Sequence, residues 1–176
     1  MKKHFVRILF FAGIISFSNV IVAETSSKTL IKEYSIPLEL AVLAASTALD
    51  TCLNKGFNTT VTVLDQRGQM KVQLVSEGAF PHSVQTSFRK AFTAASRRVP
   101  TSELAEHTST EPSLGQLFHE IGMATLSGGL PIKYGDEIIG AIGIAGAPGE
   151  DDAGNPYDDQ CAAAGIARIQ NRVNDG

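Results

Sequence analysis

Outside its first residues the chain offers few side chains able to do chemistry. Three histidines, His82, His107 and His119, supply imidazole, the donor that transition metals and proton transfers use most. Met123 and Tyr134 add a thioether and a phenol, and Cys52 and Cys161 are the only thiols. A cationic run, Arg89, Lys90, Arg97 and Arg98, marks a place where a carboxylate or other anion could be held. Several chemistries lack their motif. No G-x-S-x-G elbow supports a serine hydrolase, no C-x-x-C-H supports covalent haem attachment, and Gly140, Gly143 and Gly146 do not have nucleotide-loop spacing. The acidic stretch Glu150 to Pro156 lacks the alternating pattern of a calcium loop, and Asn155-Pro156 reads better as a helix start.

These residues need elements to hold them. Lys2, Lys3 and Arg7 precede an apolar run from Ile8 to Val22 that ends at Ala23. This is the layout of a signal peptide at 1–23, and the run falls short of the ~20 residues a spanning helix needs. The expectation is a periplasmic or secreted protein with no membrane anchor after cleavage. Removing the leader takes the formal net charge from −3 to −6, which argues against a nucleic-acid partner. Residues 24–35 read as a flexible, polar lead-in, and residues 36–172 as one domain.

Within that domain, Leu38, Val42, Ala45, Leu49, Cys52 and Leu53 recur at helical steps behind Ile36-Pro37, placing Cys52 toward the core. Thr60 to Asp65 and Met70 to Val75 alternate around Gln66-Arg67-Gly68 as a half-buried hairpin. A helix from about His82 to Arg97 has Val84, Phe88, Ala91, Phe92 and Ala95 as its apolar face. A short helix begins at Thr101, a loop follows from Thr108 to Leu114, and the segment to Leu126 has no clear pattern. A second hairpin, Leu130 to Tyr134 and Glu137 to Ala145, turns at Gly135-Asp136. The last helix begins near Asn155-Pro156 and puts Cys161, Gly165, Ile166 and Ile169 near one face. In an oxidising compartment a structural disulfide between Cys52 and Cys161 is the favoured reading; a reactive or metal-binding pair and two buried thiols are the alternatives. The order predicts an α/β protein of the α+β type, a single domain with a largely antiparallel sheet flanked by helices. The seven glycines from Gly128 to Gly149 imply that something lies close against that backbone. A helix of the same subunit, a second subunit and a ligand are the three readings.

Two blocks of this sequence resemble the GlcG/HbpS-like haem-binding family. The first is Val61 to Gly68, Lys90-Ala91-Phe92-Thr93-Ala94-Ala95 and Pro100-Thr101 to Leu104; the second is Gly128 to Ile132 with Gly135 to Ala147. Asp158-Asp159-Gln160-Cys161-Ala162 to Ile166 is similar to the ending of a secreted branch, and the likeness spans about Leu38 to Ile169. Ala145 departs from a more frequent serine, and the loop from Glu150 to Pro156 is longer than usual. The resemblance implies a compact profilin-like fold, a homo-oligomer and non-covalent haem b, with ring opening in some members. On that footing His82, His107 and His119 are the candidate cofactor-binding imidazoles, His82 the candidate ligand to haem iron, and Arg89 and Lys90 the candidate propionate partners. A non-catalytic small-molecule-binding or accessory oligomeric module without haem is the competing reading, since no nucleophile–base motif is present.

Overall fold

The computed structural model describes residues 32–174. The leader at 1–23 and most of the lead-in at 24–35 lie outside the described residues. The elements are α1 (Leu38–Asn54), β1 (Thr60–Asp65), β2 (Met70–Val75), α2 (Pro81–Arg97), α3 (Thr101–Thr110), α4 (Pro112–Glu120), β3 (Gly129–Tyr134), β4 (Glu137–Ala145) and α5 (Tyr157–Asn174). All strand pairs are antiparallel, in the order β2-β1-β4-β3. The fold is the α+β single domain that the element order implies.

The pleat sorts side chains between two layers. Val61, Val63, Ile142 and Ile144 point to one face, where they meet the helical layer of α1 and α5 in the main core. Thr60 and Thr62 point to the other, where α2 lies. Because β1 sits between β2 and β4 with helices on both sides, all six of its residues are buried. The hairpin is therefore not half-buried along its length; only the edge strand β2 is partly exposed.

Two helix faces differ from the expected ones. On α1 the buried stripe is Ala41, Ala44, Ala45, Ala48 and Cys52, while Leu38, Val42 and Leu53 face outward. Close approach of α5 explains the choice. A Cβ on Gly165 would lie 2.5 Å from the Ala44 carbonyl oxygen, so only small side chains fit the seam. On α2 the buried face is Ser83, Ser87, Lys90, Ala91, Thr93, Ala94 and Ala95. Val84 is exposed, and Phe88 and Phe92, half-buried, stack on each other with ring centres 6.1 Å apart. Hydrophobic periodicity misses this face because it is largely polar. Hydroxyl pairs Thr60–Ser83 (2.7 Å) and Thr62–Ser87 (2.8 Å) join helix to sheet, and the Gln73 amide donates to the Thr62 hydroxyl at 2.8 Å.

The glycines explain how α2 comes so near. A Cβ on Gly143 would sit 2.1 Å from the Ser87 carbonyl oxygen, and one on Gly129 would sit 2.5 Å from the Lys90 carbonyl oxygen. What lies against the sheet at these positions is thus a helix of the same chain. The segment expected as a loop from Thr108 to Leu114 is helical: α3 runs to Thr110 and α4 starts at Pro112. Pro112 suits a first helical turn, where a missing N–H costs nothing. Cys52 and Cys161 are bonded, with Cα atoms 5.6 Å apart, tying α1 to the first turns of α5.

Candidate functional site

At helical spacing His82, Thr86 and Lys90 share one side of α2, descending from its first turn. They form one wall of a cavity of about 560 Å³. Ala145 and the segment Gly146 to Gly149, which leaves β4, form a second wall. Leu126 and Ser127 close a third side, and Asp158, at the start of α5, completes the floor. Two exposed apolar side chains, Phe80 and Leu126, stand at the rim.

The floor is an ion pair. Lys90 is 5% exposed and Asp158 6% exposed. Lys90 Nζ donates to Asp158 Oδ2 at 2.5 Å, and the Ala147 N–H donates to Asp158 Oδ1 at 2.9 Å. Burial pushes the Asp158 carboxyl above its ordinary range, opposed by the Lys90 ammonium and by the Ala147 N–H. Gly128 makes room for the pair. With φ +111°, it has a backbone conformation that side chains rarely adopt, and a Cβ there would lie 2.8 Å from Asp158 Cβ and 3.0 Å from Lys90 Nζ. The Gly128 N–H donates to Asp159 Oδ1, so both aspartates of this turn anchor neighbouring backbone.

At the mouth, His82 is exposed and its ring stacks on Phe80, centres 5.9 Å apart and planes 14° from parallel. Among the described residues no group of three or more His, Cys, Asp or Glu side chains is placed to hold a metal ion. The donor available to a metal-centred cofactor here is therefore a single imidazole beside apolar surface, the arrangement in which the cofactor brings its remaining ligands.

The structure brings His82 and Lys90 together and leaves the other candidates apart. Arg89 is half-buried on an adjacent side of α2, and its guanidinium makes no hydrogen bond or ion pair among the described residues. His107, in the last turn of α3, lines a separate hollow of about 300 Å³ with Arg97, Leu104 and Phe118. His119 ends α4 on the surface. Met123 is buried with Leu104 and Phe118, and Tyr134 packs its ring against Tyr34 at 5.0 Å. In the acidic loop, Asp151 Oδ1 accepts the Ala153 and Asn155 N–H groups at 3.0 and 2.9 Å, holding the carboxyl below its usual range. The loop's hub is used internally.

Sequence reasoning missed Asp158 as a site residue. It sat in the quoted ending Asp158 to Ile166, where its value to a helix start concealed its contact with Lys90, 68 residues away. Phe80, Thr86 and Ser127 gave no signal at all.

Fold and cavity together define a single-domain α+β protein with a wide pocket between the start of a helix and the end of a sheet. The chain belongs to the family described as "Haem degrading protein HbpS-like", which it matches over residues 36–167. A double-mutant form of HbpS from Streptomyces reticuli superposes with a TM-score of 0.69 at 32% identity, covering 90% of this chain and 97% of that one. A crystal structure described as a PduOC:Heme complex aligns with a TM-score of 0.67 at 22% identity, covering 77% of this chain and 95% of that one, a likeness of fold. An "Uncharacterized 15.0 kDa protein in dhaT-dhaS intergenic region" of Citrobacter freundii is 31% identical over 93 residues, which span 52% of this chain and 66% of that relative, just under two thirds.

Proposed function

We propose that this chain binds haem b non-covalently in the cavity between α2, the end of β4 and α5, with His82 as the axial donor. The observation that carries the reading is the position of His82: an exposed imidazole on the rim of an open cavity, beside the apolar side chains of Phe80 and Leu126. Membership of a family described as haem-degrading supports it, as does the haem named for the PduOC structure. Of the three candidate imidazoles, His82 alone lines this cavity. Bound there, the cofactor would supply an iron centre able to bind and activate oxygen, and weak ring opening is the activity this implies.

The chain's own residues perform the rest. The Phe80 ring supports the His82 imidazole by stacking, and Phe80 and Leu126 offer apolar surface to a flat ring. Because Lys90 is already paired with Asp158, it is a poor partner for a propionate. Arg89 has no partner among the described residues but does not line this cavity, so it is not assigned to a propionate there. Both thiols are used in one disulfide, which suits a cofactor held without a thioether bond. Export to the periplasm or medium after cleavage of the leader, and a homo-oligomer, belong to the same reading.

The test is a haem titration followed at the Soret band. A saturable band shift in the native chain, lost or displaced in His82→Ala and retained in His107→Ala and His119→Ala, is the expected outcome. No shift in the native chain sinks the reading; an unchanged spectrum in His82→Ala moves the iron donor elsewhere. Native mass spectrometry of the same samples gives the subunit number.

A specific observation favours the second reading, a small-molecule-binding module without haem. The cavity floor is polar and buried, whereas a porphyrin needs only an apolar slot and one donor. A protein that ignores haem yet binds small polar compounds would meet it.

A further inference from the structure

We propose that the floor of this cavity is a recognition point for the hydroxyl groups of a small uncharged molecule, a vicinal diol or polyol, held by the Lys90–Asp158 pair. This is independent of the haem reading.

The pair has unused hydrogen-bonding capacity. An ammonium group has three donors, and a carboxylate oxygen can accept more than one hydrogen bond. Lys90 makes one bond, to Asp158, and each Asp158 oxygen accepts one, from Lys90 and from the Ala147 N–H. Two donors of Lys90 and one further acceptor site on each Asp158 oxygen are left over. Both side chains are more than nine-tenths buried and both line the cavity, so a guest held there can reach this capacity.

Charge then selects the class of ligand. Lys90 and Asp158 cancel, and Asp159 stands beside them with Oδ1 on the Gly128 N–H. An anion would meet two carboxylates and an ammonium already shared. A cation would meet the Lys90 ammonium at contact range. The positive end of α5 gives an anion no opening, because Asp158 and Asp159 occupy its first turn. A hydroxyl matches both halves of the floor, since its oxygen accepts from Lys90 while its proton goes to Asp158. Two adjacent hydroxyls would use the capacity more fully than one. The Thr86 and Ser127 side chains, higher in the same cavity, can serve a further hydroxyl.

The experiment uses three compounds of one shape: ethylene glycol, its carboxylate analogue glycolate and its amine analogue ethanolamine, with glycerol as the larger polyol. Each is titrated into the full-length, haem-free chain while the Lys90 side-chain ammonium signal is followed by NMR with isotope-labelled lysine. Ethylene glycol and glycerol are expected to shift that signal saturably. Glycolate and ethanolamine are expected to bind at least about tenfold more weakly. The double variant Lys90→Met with Asp158→Asn removes both charges and keeps an acceptor for the Ala147 N–H. It should lose glycerol affinity by about tenfold or more, read by calorimetry. Circular dichroism confirms that it is folded; if it is not, the lysine titration of the native chain decides by itself. The proposal is overturned if neither polyol moves the Lys90 signal, if glycolate or ethanolamine binds as tightly as ethylene glycol, or if the folded double variant keeps native glycerol affinity. Failure of haem to bind while glycerol still shifts Lys90 would remove the haem reading and leave this one standing.

Discussion

Lys90 and Asp158 belong to different helices and hold each other out of water. Removing one partner strands the other. Lys90→Met alone should cost about 3–5 kcal/mol, read as a fall in the urea midpoint. Lys90→Met with Asp158→Leu should be less destabilised than Lys90→Met alone, because no buried charge is left without a partner. The pH response has a definite sign. The folded carboxyl of Asp158 lies above its ordinary value of 3.8, so the folded state binds more protons in that window. The Asp158 contribution is therefore favourable below 3.8 and is lost as pH rises through the folded value. Urea midpoints of the native chain and Asp158→Asn across acidic pH should differ by this slope. At this scale the sequence was half readable. Lys90 stood out within its motif and among its cations, but its burial and its partner come from the fold. His82 was readable as a donor type, whereas its place on a cavity rim depends on segments scattered from residue 80 to residue 158.

Among the elements, α2 and the glycine-bearing strands depend on one another most closely. Gly143→Ala would drive a methyl group into backbone at 2.1 Å and 2.5 Å, which neither strand nor helix can yield. The expected loss is at or above the about 1–3 kcal/mol typical of overpacking. Gly154→Ala, with open space around it but φ +81°, should cost only backbone strain of about 1 kcal/mol. Thermal melts of the two variants give the comparison. Asp151→Ala should leave the global melt nearly unchanged while the Ala153 and Asn155 amides exchange faster with deuterium. Since the Asp151 carboxyl is held low, its ordering of the loop is present above the unfolded value and is lost as pH falls through the folded one. The strands and their two hairpins were readable because β-branched alternation survives in Val61, Val63, Ile142 and Ile144, whereas the central pairing of β1 with β4 was not. On α1 Ala45 and Cys52, and on α2 Ala91 and Ala95, were placed on the buried face, but the rest of each face was not, because alanine and serine fill seams where bulk is excluded. The helix α4 escaped notice because Gly115 lies within it and Phe118 is its only buried residue.

At the scale of the whole molecule, the Cys52–Cys161 bond spans 109 residues and joins the two helices of one layer. Replacing both cysteines with alanine should lower stability by about 2–5 kcal/mol, measured by thermal unfolding with and without reductant. Cys161 lies one helical turn beyond Asp158, so the same variants report whether the cross-link also steadies the cavity floor. One-domain architecture was readable from length and element order, and both cysteines could be assigned to core-facing helix positions. The cavity was not, because it is made where the ends of separate elements converge. The tight seat of α2 also bears on how a guest gets in and out. With backbone against backbone at Gly143 and Gly129, that helix has no slack in which to rock or slide. Traffic must pass the Phe80 and Leu126 side chains, whose rotation is fast beside any rearrangement of the scaffold. Stopped-flow association should then stay proportional to guest concentration, with no plateau from a slow gate.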